Sequence, residues 1–254
     1  MNNVVKKEDA GLPAQVMFEE DAGKGLGDIG QEDLALPFLK VLVQLSPQVN
    51  KRDGKYVEGA EPGMIFNSVT GELYDGVKGI DVIPALYKLE YVEWKDRGEG
   101  PGAPVMVHHA SSDIMSQTKP DASYRDRLPN GNYIEKTASH FVMITGDTPS
   151  TALISMTRTQ LKISRKWNSM ISGIKLKGKN GLYTPSSYSH IYKLKTVPMS
   201  NDKGTWFGWE VSKIGPVTNG SDYNQAKEFS ANIDKGAVKV KHGEDKPKED
   251  SSII

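Results

Sequence analysis

Seven cations and no carboxylate fall between positions 158 and 179: Arg158, Lys162, Arg165, Lys166, Lys175, Lys177 and Lys179. Such a run can neutralise consecutive phosphates of a polyanion, releasing condensed counterions as it does so. On a helix of 3.6 residues per turn, Arg158, Lys162, Arg165, Lys166 and Ser169 gather on one side. Ile163, Trp167, Met170, Ile171 and Ile174 gather on the other, where they would pack on the rest of the fold. Lys193, on a strand further along, extends the candidate phosphate-binding set.

Aromatic side chains supply the second chemistry. Stacking a base on a ring contributes about 1–3 kcal/mol and tolerates any base, which suits binding without sequence preference. Strand alternation in TWFGWEVS places Phe207, Trp209 and Val211 on one face and Trp206 and Gly208 on the other, leaving Trp206 as a candidate platform. In SSYSHIYKLK, Tyr188, His190 and Tyr192 share a face opposite Lys193 and Lys195. Tyr87 and Tyr91 share a face opposite Lys88. Trp206, Tyr188, Tyr192, Tyr87 and Tyr91 are therefore the base-stacking candidates, although any such ring can equally fill the core of a barrel.

Catalytic patterns are lacking. The five histidines (His108, His109, His140, His190, His242) have no metal-ligand spacing, and His108-His109 with Asp113 is a weak pairing in a loop. The run GKGLGDIG lacks the Lys-Ser/Thr ending of a phosphate-binding loop and is read as a linker. Asp121, Arg125, Asp126 and Arg127 are taken as loop solvation or subunit contacts. The expectation is a non-enzymatic binding protein with no cofactor and no metal.

Composition bounds the setting. The chain has 254 residues, no cysteine, and 32 basic against 32 acidic residues. The missing cysteines exclude a disulfide framework and thiolate chemistry. Neither a secretory leader nor a membrane-spanning apolar run is read in it, so a soluble, cytoplasmic protein is expected. The neutral total departs from the basic excess usual in nucleic-acid binders, but it conceals an asymmetry. Glu8, Asp9, Glu19, Glu20, Asp21, Asp28, Glu32 and Asp33 crowd the N-terminus, away from the basic run.

The elements that must position these groups follow from pattern. Residues 1–33 are read as a flexible, acidic, Gly-rich segment, 34–235 as the binding domain, and 236–254 as a flexible charged tail. LALPFLKVLVQLSPQV is a short helix or strand, and GMIFNSVTGELYDG a hairpin around Thr70-Gly71. Strands are expected at 79–94, 138–146 and 150–157, a helix at 158–172, and strands at 187–197 and 204–214. Pro84 implies an edge position or a bulge. Residues 95–137 form an excursion with its own hairpin and a turn at Leu128–Asn132. A last helix spans Ser221–Asp234, with Ser221 as N-cap. Three strands, a helix and two strands is the element order of a five-stranded oligonucleotide/oligosaccharide-binding (OB) barrel, a mainly β fold.

On the segments TALISMTRTQLKISRKWNSMI, IYKLKTV, TWFGWEV and EDLALPFLKVLVQLSPQV, the chain resembles bacteriophage single-stranded DNA-binding proteins of the OB-fold type. That resemblance implies a protein that coats single strands during DNA replication and recombination without a cofactor. It also implies a C-terminal tip, here Asp250, Ile253 and Ile254, that recruits replication or recombination proteins. The tail departs from the family pattern in mixing Lys246 and Lys248 with its acids and ending in Ile-Ile. Self-association into a homo-oligomer is among the expected contacts, and the alternative function is a phage structural or assembly protein whose barrel makes protein–protein contacts. A third reading, a nuclease or hydrolase using the carboxylates of the excursion, needs metal-dependent turnover to support it.

Overall fold

A computed structural model describes residues 18, 21–27, 33–96, 98–99, 102–202, 204–238 and 240. The chain divides into two compact units, Met1–Leu34 and Ala35–Ile254. In the first, the described residues 21–27 form turns with an Asp21–Lys24 ion pair. Asp250, Ile253 and Ile254, the tip expected to recruit partners, lie outside the described residues.

The second unit is mainly β. Its strands are β1 (Leu39–Val41), β2 (Ile65–Asn67), β3 (Leu73–Tyr74), β4 (Ile80–Trp94), β5 (Met106–His109), β6 (Lys119–Pro120), β7 (Asp126–Arg127), β8 (Tyr133–Ile144) and β9 (Ser150–Thr157). Helix α1 (Leu161–Ser172) follows, then β10 (Leu176–Gly178), β11 (Gly181–Tyr183), β12 (His190–Asn201), β13 (Gly204–Pro216) and α2 (Gly220–Asp234). The segment LALPFLKVLVQLSPQV divides into β1 and a 3-10 turn at Pro47–Val49. The hairpin expected around Thr70-Gly71 is β2–β3. Asn67 Oδ1 accepts the Val69 and Thr70 N–H groups in its turn.

The long strands run antiparallel in the order β9-β8-β4-β12-β13. The sheet curls into a half-barrel. Among the described residues no ladder joins β9 to β13. Two local contacts occupy the free edges instead. Leu153 donates its N–H to Pro37 O at 2.8 Å, and Trp209 donates its N–H to Gln160 Oε1 at 3.0 Å. Gly208 allows this approach: a Cβ there would sit 2.3 Å from Gln160 Nε2 and from Met199 Sδ.

Pro84 sits in a central strand, tolerated because the ladder slips there. β12 pairs with β4 only over Ile80–Val82, and the β4–β8 register shifts between Pro84 and Leu86. The bulge also shifts the alternation. Val82 before it and Leu89 after it both join the main core, although their positions differ in parity.

Each face of the sheet has its own cover. Ile80, Val82, Ala138, Val142, Ile154, Met156, Leu194, Trp209 and Val211 face inward against α1 and Trp167. On the outer face, Phe229 and Ile233 of α2 cover Ala85, Phe141 and Leu153, and Ala226 packs with Ile83 and Met143. The cap of α2 is Asn219 rather than Ser221: its Oδ1 accepts the Ser221 N–H at 2.9 Å, which starts the helix one residue earlier than expected.

Trp167 is fully buried on the inner face, so Trp167→Ala should destabilise the protein by about 3–5 kcal/mol. Urea unfolding followed by circular dichroism reads this directly. An unchanged midpoint would mean that α1 is not anchored by this ring.

Candidate nucleic-acid interface

Helix α1 is amphipathic in the sense its sequence predicts. Lys162, Arg165, Lys166 and Ser169 are exposed, while Trp167 is buried and Ile163, Met170 and Ile171 pack on the core. Its rotation is fixed by a contact that the sequence does not announce. Trp167 stacks on His140 of β8 with ring centroids 4.5 Å apart, and His140 Nε2 lies 2.8 Å from Ser164 Oγ. Tyr87 tilts against His140 at 5.0 Å and is 39% exposed, so it flanks α1 at the surface.

Beyond α1 the chain forms a hairpin, β10–β11, with Leu176 paired to Tyr183 and Lys177 to Leu182. Lys175, Lys177 and Lys179 are exposed on it, and Lys175 Nζ donates to Thr184 Oγ1. Among the described residues, no carboxylate forms an ion pair with Lys162, Arg165, Lys166, Lys175, Lys177 or Lys179. The structure thus leaves six of the eight candidate phosphate ligands on one continuous stretch of chain.

The other two are engaged elsewhere. Arg158 adopts φ +48°, a left-handed conformation unusual for a side-chain-bearing residue, and its Nε pairs with the buried Glu135 carboxylate at 3.2 Å. Lys193 pairs with Asp81 across the β12–β4 ladder. The stretch 158–179 contains no acid, but β8 brings Glu135 to Arg158 from a distant position, as β4 brings Asp81 to Lys193.

The aromatic candidates separate further. Tyr192 is 0% exposed and sits beside Trp167 at 5.8 Å, so its ring offers no face to a ligand. Assignment of Tyr192 to base stacking is corrected: its alternation face is the inner one. Tyr188 is half-buried in a 3-10 turn, edge-on to Tyr223 of α2 at 5.2 Å. Tyr91 is half-buried on β4, and Trp206 is half-buried opposite Met199. Trp209 and Val211 are core, as alternation predicts.

The excursion is an ionic clamp. Arg127 donates to both Asp96 oxygens, at 2.8 and 3.0 Å, and through Nε to Asp121 at 2.7 Å. Arg125 adds a contact to Asp96 and lies over the Tyr133 ring. The backbone N–H of Arg125, ahead of the Arg127 guanidinium, holds the Asp121 carboxyl below its ordinary range. Glu93 is buried, which alone would raise its pKa. Hydrogen bonds from Asn132, His108 and Asn130 outweigh burial and hold it low. These carboxylates are thus bound by local partners, and among the described residues no group of three His, Asp or Glu side chains could hold a metal ion.

A protein-family model described as Pam3 phage gp34-like protein matches residues 5–239. No curated protein and no solved structure matches. Among the described residues, no helix is long and apolar enough to cross a membrane.

Burial pushes the His140 pKa down to about 3, and burial, then the Lys213 charge, lowers that of His190. An unfolded histidine takes up its proton near pH 6.5. Stability is therefore complete above about pH 6.5 and declines as pH falls, by at most about 1.4 kcal/mol per pH unit for each such group. Urea midpoints at pH 7 and pH 5 should differ, and the difference should shrink, without vanishing, in His140→Gln. An identical pH dependence in the variant would show that His140 is not buried neutral.

Proposed function

The chain belongs to the Pam3 phage gp34-like protein family, and from that premise we propose that it binds and coats single-stranded DNA with little sequence preference during phage DNA replication and recombination. One observation carries this reading. Six exposed cations without carboxylate partners among the described residues line α1 and the hairpin that follows it. Lys162, Arg165 and Lys166 lie on one face of α1, and Lys175, Lys177 and Lys179 continue the charge onto β10–β11. A surface of this kind follows a phosphate backbone and draws its affinity from counterion release. Tyr87 at the flank of α1 and the half-buried Trp206 are the rings retained as stacking groups. The strand order supports an OB-type sheet, with the Gln160 and Pro37 contacts serving where barrel hydrogen bonds would close it. Coating needs no cofactor and no catalysis, and the tail is read as the recruiting element.

A second reading, a phage structural or assembly protein, is favoured by a different observation. At β5, which pairs only with β4 among the described residues, Val105, Met106 and Val107 are exposed at a sheet edge, a feature suited to strand addition by a protein partner.

Arg165→Ala combined with Lys166→Ala should weaken oligo-dT binding evenly across sequences. The slope of log affinity against log salt should flatten by about 1.4, from two lost phosphate contacts at about 0.7 each for a single strand. An unaltered slope would remove α1 from the interface.

A further inference from the structure

The hairpin has two unlike faces. Lys177 and Leu182 are directly paired on one, with Lys175 and Thr184 next to them. Leu176 and Tyr183 are paired on the other, where Gly178 faces Gly181. A Cβ on Gly178 would lie 3.1 and 3.2 Å from Cδ1 and Cε1 of Tyr183, so the ring rests against bare backbone. It is nonetheless 50% exposed, and Leu182 beside it is 74% exposed. The ring thus has one side against glycine and the other open, on a two-stranded ribbon whose opposite face carries lysines.

We infer that Tyr183 is a base-stacking residue of the nucleic-acid interface, with Lys175 and Lys177 on the opposite face of the ribbon taking phosphates of the same strand where it crosses the ribbon edge. The inference rests on the single-strand reading above and adds a ring of the β10–β11 hairpin to the stacking groups Tyr87 and Trp206. Charge selects the occupant. A second copy docking the same hairpin would set lysines against lysines, whereas a single strand supplies the phosphates that the ribbon lacks. Stacking also accounts for an exposed ring on the second arm of the hairpin, which a pure phosphate contact does not need.

The test uses the full chain with Tyr183→Ala and Tyr183→Phe, each checked by thermal melting, and labelled oligo-dT as the probe. Tyr183→Ala should weaken binding about 5- to 150-fold, the loss of one stacked base, with the salt slope unchanged. Tyr183→Phe should bind like the unaltered protein. Equal affinity of Tyr183→Ala and the unaltered protein would overturn the assignment, and so would equal losses in the two variants, which would trace the effect to the hydroxyl. If the unaltered protein binds no oligo-dT, the single-strand reading itself fails, and this inference with it. An oligomer that dissociates on Tyr183→Ala would identify a second copy as the hairpin's occupant and overturn the DNA assignment separately.

Discussion

The stacking of Trp167 on His140 fixes what the rest of the surface can be. Once the indole is buried between the curled sheet and α1, and Ser164 is hydrogen-bonded to the same imidazole, the helix has one permitted rotation. Lys162, Arg165 and Lys166, three and four residues apart and so on one face, then point to solvent because Ile163, Trp167 and Met170 on the opposite face point inward. The apolar contact thus determines the place of the charges. Burial keeps His140 neutral, so the anchor holds an aromatic ring and a hydrogen-bond partner without a buried charge.

The sheet meets a second constraint, that of its own edges. A curled sheet that stops short of closure must satisfy the backbone groups of its outer strands. Residues ahead of β1 serve β9, and Gln160, at the start of α1, serves β13. On the opposite side, α2 buries Phe229 and Ile233 against β4, β8 and β9, which removes that face from contact with a ligand. The cations of α1 and of the hairpin after it remain accessible and share one sign.

Much of this was legible in residue order. The long strands and α1 follow from period-two and 3.6-residue patterns, and β9 spans 150–157 as the pattern predicts. The start of β8 at Tyr133, five residues before its apolar run, was hidden because Tyr133–Thr137 alternates weakly and gains its strand form by pairing with β4 and β7. The β10–β11 hairpin was missed for another reason: each arm is three residues long, too short for alternation to register. Asn180-Gly181 was the available signal for its turn. Long-range electrostatics were illegible altogether. Nothing local ties Arg158 to Glu135, Lys193 to Asp81, or Arg127 to Asp96. Tyr192 failed as a ligand platform because alternation groups residues by face without stating which face is inside.

The most direct measurement is fluorescence anisotropy of labelled oligo-dT against a duplex of equal length, at low and at moderate salt. The account predicts tight binding to the single strand alone, weakening steeply as salt rises. Absence of binding at low salt, or equal binding to the duplex, would contradict it and leave protein assembly as the role of this surface.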